Sequence, residues 1–146
     1  LIDVDLVALV RFHEQGVACH GRVAATLVVR DDPEVDRWGP VEMDAGNRVL
    51  RINGKGVPAG SVGQAVARRM FAGVHVVDPR VLQDVPRGQP SSIIDAYVTN
   101  LARGAVLLGY AMTGYWSDVG TPERYAQVQR DSEAGRIDLA RRRAGA

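Results

Sequence analysis

Asp118 sits in the run Gly-Tyr-Trp-Ser-Asp-Val-Gly-Thr-Pro-Glu-Arg-Tyr at residues 114–125, where an apolar and aromatic segment ends and a helix is launched. Gly120 permits a sharp reversal of the backbone. Thr121 is a good N-cap, Pro122 suits the first helical position, and Glu123 complements the positive end of the helix. The spacing predicts a carboxylate fixed at a strand end, beside a rigid strand-to-helix junction. From such a place one acidic group can hold a metal ion over phosphates. A second candidate is Lys55, the only lysine among 18 basic residues. It lies in Ile52-Asn53-Gly54-Lys55-Gly56, and a flexible ammonium flanked by glycines suits a phosphate as a point charge. The run is not a P-loop, because it lacks the Gly-x-x-x-x-Gly-Lys-Ser/Thr spacing.

Other chemistry-bearing residues have plainer readings. His13 lies along a helix, His20 in a loop and His75 in mid-strand, and none is a candidate base. Cys19 beside His20 lacks the further Cys or His spacing of a metal site. A single cysteine excludes an internal disulfide framework and fits a reducing cytoplasm.

The elements that must position Asp118 and Lys55 follow from periodicity. Leu6, Leu9, Val10 and Phe12 recur at helical spacing after Asp5, with Gly16 as the expected stop. Residues 23–30 are continuous and β-branched enough for a buried strand. Residues 40–44 and 48–52 flank Ala45-Gly46-Asn47 as a hairpin, and the glycines from Asn53 to Gly63 predict a loop. A strand at 71–77 is followed by Asp78-Pro79, which opens a short helix. Ser92 with Asp95 resembles a capping box for a helix that stops at Gly104. A strand at 106–112 then leads through Tyr115-Trp116 to the Asp118 turn and a last helix running towards Gly135. Strands alternating with helices imply a layered α/β domain.

The hydrophobic fraction of 46% and a net charge of +1 argue for a folded core, against disorder and against a strongly basic nucleic-acid binder. No apolar run approaches the roughly 18 residues of a membrane span, and Arg141-Arg142-Arg143 reads as solvated terminal charge. Leu1-Ile2-Asp3-Val4-Asp5-Leu6 reads as a strand end entering a helix, so the chain is expected to be an interior fragment of a longer protein.

The stretch 114–125 resembles the closing motif of the sugar-phosphate nucleotidyltransferases, which join a sugar 1-phosphate to a nucleoside triphosphate and release pyrophosphate. Leu1–His13 looks like the segment after that family's metal-binding Asn-Gly-Asp turn. Residues 37–42, Arg-Trp-Gly-Pro-Val-Glu, resemble its Tyr-Gly-Val-Val-Glu strand. Residues 71–76, Phe-Ala-Gly-Val-His-Val, resemble its Asn-Ala-Gly-Ile-Tyr-Val strand. Asp78–Leu82 and Ser91–Asp95 continue in register. Two departures bear on the sugar. No Glu-Lys-Pro follows the hairpin, and Phe71 stands where the family often places a sugar-binding asparagine.

The resemblance implies a Rossmann-like α/β nucleotidyltransferase fold with a mixed, mostly parallel sheet and its N-terminal portion absent. Residues 1–146 would be the C-terminal part of one catalytic domain, carrying its sugar-binding half. It implies Asp118 and Lys55 as catalytic residues, Gly39, Lys55 and Gly73 as substrate-binding residues, and Mg²⁺ on Asp118 with a second aspartate just before Leu1. The implied ligands are a sugar 1-phosphate and a nucleoside triphosphate, without nucleic acid or membrane. The triphosphate cradle belongs to the family's first half, so the chain alone is expected to be inactive and to need that half or another copy of itself. The alternative is a non-catalytic sugar-phosphate-binding or regulatory module on the same fold.

Overall fold

The computed structural model describes residues 1–57 and 63–137. It divides into two compact units, Val7–Met112 and a smaller one made of Leu1–Leu6 with Thr113–Ala146. The expected loop therefore lies partly, and Arg141–Arg143 wholly, outside the described residues.

The larger unit is built on a six-stranded sheet of order β4-β3-β2-β5-β1-β6. Its strands are β1 (Ala25–Arg30), β2 (Pro40–Met43), β3 (Val49–Ile52), β4 (Lys55–Gly56), β5 (Ala67–Val77) and β6 (Leu107–Ala111). Helices α1 (Leu6–His20), α2 (Val35–Trp38) and α3 (Ile93–Ala102) and a 3₁₀ turn at Pro79–Asp84 connect them. Residues 23–30, 71–77 and 106–112 all contribute to this one sheet, as their apolar character predicts.

The sheet is mixed, but the expectation of mostly parallel strands is corrected. β1 and β6 are parallel, whereas β1–β5, β2–β5, β2–β3 and β3–β4 are antiparallel. Strands joined by tight turns must run antiparallel, and β5 returns between β2 and β1 against both. A parallel pair needs a long crossover, which here is the whole connection from β1 to β6.

Adjacent residues of a strand face opposite sides, and β1 shows what each side meets. Ala25, Leu27 and Val29 share a buried cluster with Leu107 and with Tyr97 and Leu101 of α3. The intervening Thr26 is hydrogen-bonded through Oγ1 to His13 Nδ1 of α1 at 2.9 Å. On β6, Tyr110 meets Phe12 of α1 edge to face, with ring centroids 5.4 Å apart. Helices α1 and α3 thus cover opposite faces of the sheet, which is why β1 is apolar without alternation.

Gly16 does not stop α1, which continues to His20, so His20 ends a helix rather than standing in a loop. A side chain at Gly16 would overlap Leu108 of β6, so this glycine serves close helix–sheet packing. The helix ends instead at Gly21, which has a φ of 73°. At the sheet's edge, Gly109 N–H donates to Asn47 O at 2.8 Å. The β2–β3 turn thereby covers part of an otherwise open strand.

In the smaller unit Ile2 bridges Trp116, and Asp3 N–H donates to Tyr115 O at 2.8 Å. Helix α4 (Pro122–Glu133) follows. Asp131, only 8% exposed, accepts from Tyr115 Oη and Gln127 Nε2 at 2.7 Å and from Arg136 Nη2 at 2.6 Å. These bonds hold its carboxyl below the usual range, tie α4 to the segment before it and satisfy a buried charge.

Candidate functional site

Asp118 lies in the smaller unit, on the turn into α4; the expected strand before it is only an isolated bridge of Trp116 to Ile2. Thr121 caps α4 by accepting from Arg124 N–H at 3.3 Å, with Pro122 in the first turn. Gly120 N–H turns back onto Asp118 O. The capping hydrogen bonds hold the Glu123 carboxyl below its usual range. Arg124 is the partner that sequence reasoning missed: its Nη1 donates to both carboxylate oxygens of Asp118. The signal was present, since residues six apart across a turn into a helix can face each other, but nothing in residue types alone selects this arginine.

Gly39, Lys55 and Gly73 lie in the larger unit; register sets Gly39 beside Asn53 and β5, while Lys55 on β4 is three strands from Gly73 on β5. Gly39 has a φ of 85° and immediately precedes Pro40, which pairs with Met70 of β5, three positions before Gly73. Pro40 O accepts from Asn53 N–H at 2.9 Å. A side chain on Gly39 would overlap the Asn53 amide, so both backbone angle and space require glycine there. Gly73 has a φ of 83° and sits where β5 bulges between its pairings Leu27–His75 and Val29–Phe71. No atom lies within 4 Å of the position a Cβ would take there.

Lys55 is not in a loop. Ile52 pairs with Lys55, and the two intervening residues, Asn53 (φ 54°) and Gly54 (φ 71°), have the positive angles of a type I′ hairpin turn. Asn-Gly between strands is a strong hairpin signal that was legible in the sequence but submerged in a glycine-rich stretch. The Lys55 side chain is exposed and has no hydrogen-bond or ion-pair partner among the described residues.

Sequence reasoning also left out an aromatic cluster beside Gly73. His75 stacks on Phe71 with centroids 5.8 Å apart and meets Tyr97 edge to face at 5.8 Å. Burial pushes His75 below its ordinary 6.5 and Tyr97 up to about 12. His75 Nδ1 and the Tyr97 hydroxyl have no partner among the described residues. A neutral imidazole against a buried ring is a packing element.

Magnesium takes hard oxygen donors and is usually held by one or two carboxylates, with phosphates and waters completing its shell. Asp118 is a donor of the right kind, half-exposed on a rigid turn, and so fits as one member of such a site. Among the described residues no three His, Cys, Asp or Glu side chains converge into a closed cage. Arg124 Nη1 bonds both oxygens of the carboxylate, and a further lone pair on each oxygen is left for a cation.

The larger unit is thus a mixed sheet with helices on both faces, and the smaller one carries a carboxylate on the turn into a helix. Residues 1–135 match the nucleotidyl transferase family model, and the chain belongs to that family. It is 27% identical over 133 residues to the UTP–glucose-1-phosphate uridylyltransferase of Synechocystis sp., covering 89% of this chain and 32% of that protein. It is 28% identical over 137 residues to the mannose-1-phosphate guanylyltransferase of Mycobacterium tuberculosis, covering 92% of this chain and 35% of that protein. The chain thus spans about a third of the length of the curated relatives it matches. Its fold is similar to that of a proposed glucose-1-phosphate thymidylyltransferase of Bacillus anthracis in complex with sucrose, with a TM-score of 0.56 at 20% identity, covering 90% of this chain and 51% of that one. No helix among the described residues is long and apolar enough to cross a membrane.

Proposed function

We propose that residues 1–146 form the sugar-phosphate side of a sugar-1-phosphate nucleotidyltransferase of nucleotide-sugar biosynthesis, working in the cytoplasm. The observation that carries this reading is the family match from residue 1 to residue 135, which takes in the Asp118 junction. An oxygen of the sugar phosphate would attack the α-phosphate of a nucleoside triphosphate, forming one P–O bond as the bond to pyrophosphate breaks. That oxygen is already ionised at neutral pH, so the reaction asks for positioning and charge stabilisation rather than a side-chain base. Lys55 would steady the sugar phosphate, which fits an exposed ammonium without an acidic partner among the described residues. Gly39 and Gly73 would let the backbone line the sugar, in keeping with the open space over Gly73. Asp118 would hold Mg²⁺ together with substrate oxygens, through the lone pairs that Arg124 leaves open. The ion would supply neutralisation of charge building on the phosphates.

No run in these residues resembles a triphosphate cradle, so we place that cradle outside them and expect no turnover by the chain alone. A second reading, a non-catalytic sugar-phosphate-binding module, is favoured by one observation: both oxygens of Asp118 accept from Arg124. Calorimetric titration with glucose 1-phosphate and mannose 1-phosphate, beside a pyrophosphate-release assay with the common nucleoside triphosphates and Mg²⁺, tests both. The expected result is sugar-phosphate binding that Lys55→Ala weakens about tenfold, as for loss of one charge-assisted contact. Robust turnover by the monomeric chain would put the triphosphate site within these residues. A folded chain that binds neither sugar phosphate would overturn the function itself. Mn²⁺ binding that is unchanged in Arg124→Gln and lost in neither it nor Asp118→Asn would remove the metal role.

A further inference from the structure

Away from Gly39, Lys55 and Gly73, the larger unit has a cavity of about 370 Å³ bordered by Arg22, Arg80, Asp84, Asn100 and Arg103. Arg22 lies just before β1, Arg80 in the 3₁₀ turn after β5, and Asn100 and Arg103 at the end of α3. Three positions remote in sequence therefore bring guanidinium groups around one space.

Two carboxylates brace them. Asp78 Oδ2 accepts from Arg22 Nε at 3.1 Å and from Arg80 Nη2 at 2.6 Å, and Asp78 Oδ1 accepts from Arg80 Nε at 3.0 Å. Asp84 accepts from Arg103 Nη1 at 2.7 Å and from Asn100 Nδ2 at 2.9 Å. Each arginine keeps N–H donors unused among the described residues: both Nη groups of Arg22, Nη1 of Arg80, and Nε and Nη2 of Arg103. Three cations face two carboxylates, which leaves one positive charge in excess. The three guanidinium side chains are 47%, 62% and 64% exposed, so solvent shares in balancing this excess and leaves them within reach of a dissolved anion. At the end of α3 the carbonyls of Thr99, Asn100 and Leu101 accept from the N–H groups of Arg103, Gly104 and Ala105.

We propose that this cavity binds a small phosphate-bearing anion, held by the free guanidinium edges of Arg22, Arg80 and Arg103. Arginine's planar fork matches tetrahedral oxyanions, and charge-assisted bonds of this kind are the strong ones. The volume suits inorganic phosphate, pyrophosphate or the phosphate end of a small phosphoester, with no aromatic ring on the wall to stack a base. The site is separate from the proposed sugar-phosphate position and goes beyond it.

The test is titration of the 146-residue chain with inorganic phosphate, methyl phosphate and pyrophosphate at constant ionic strength, read by calorimetry and by the arginine side-chain Nε–H signals in NMR. Saturable one-to-one binding is expected, with shifts at Arg22, Arg80 and Arg103. Arg80→Gln and Arg103→Gln should each weaken it about tenfold, the equivalent of ~1.4 kcal/mol. Arg37→Gln, which removes the same charge from α2, should leave it intact. Asp84→Asn should tighten binding severalfold, because it removes a competing carboxylate. Methyl phosphate binding as well as inorganic phosphate assigns a phosphoester ligand; preference for the inorganic ions assigns a free one. Absence of the three shifts, an equal loss in Arg37→Gln, or an Asp84→Asn chain with a lower melting temperature and unchanged affinity would reduce the network to a structural brace and overturn the site.

Discussion

Asp118 and Lys55 carry opposite charges and are held by opposite means. The Asp118 carboxylate is fixed within a few residues, by the Gly120 reversal, the Thr121 cap and the Arg124 clamp one turn into α4. Lys55 stands at the tip of a tight hairpin whose place depends on pairings of β2 with β3 and of β2 with β5. Its ammonium has no partner among the described residues, whereas Asp118 is already neutralised. A junction built from local capping restrains its charged group whether or not a ligand is there. A site built from strand register leaves the charge available but stakes its position on residues far away in sequence.

The largest expected effect breaks the local side of that contrast. In a catalytically competent preparation, Asp118→Asn should lower turnover by about 10²-fold, as for loss of a key electrostatic group. The unfolding midpoint should barely move, since a half-exposed ion pair is worth under about 1 kcal/mol. Near-normal turnover at saturating Mg²⁺ would make Asp118 structural. On the register side, Gly39→Val should cost about 2 kcal/mol in urea unfolding, from a strained positive φ and overlap with Asn53. Adding Asn53→Ala should recover part of that loss, and no recovery would assign it all to the backbone angle. Thr121→Ala should cost about 1 kcal/mol, and Thr121→Ser should restore most of it. An unchanged midpoint in Thr121→Ala would show that the junction does not rest on its cap.

The smallest effect is a pH dependence carried by the larger unit. Burial holds His13 and His75 below the ordinary 6.5, outweighing for His13 the attraction of Glu14 and Asp78. A histidine depressed in the folded state is protonated first in the unfolded chain. Stability should therefore be full above about 6.5 and decline as pH falls below it. Melting temperatures through that range should show a shallower decline in His75→Leu. An identical slope would exclude His75 as its source.

Much of this was legible in residue order. The cap at Thr121 and the stop at Gly104 formed as read, because each is settled by atoms within one turn of helix, while Ser92 caps α3 through Ile94 N–H rather than in a box with Asp95. The three apolar strands entered one sheet, where β1 is buried on both faces and β5 mostly half-buried. Gly16 was misread because a glycine inside a helix looks like a stop until Leu108 is seen against it. The mostly parallel sheet that the resemblance implied did not form, because strand direction depends on which neighbours the connections allow, and β5 runs against both of its own.

What the sequence by itself determined is the α/β class, the family and the rigid turn that carries Asp118, all of which rest on local backbone preferences and ordered motifs. Only the tertiary structure decided that Asn53 crowds Gly39 and that Arg22, Arg80 and Arg103 surround one cavity. Those contacts join side chains through strand register and helix packing, and their geometry exists only once the sheet has formed.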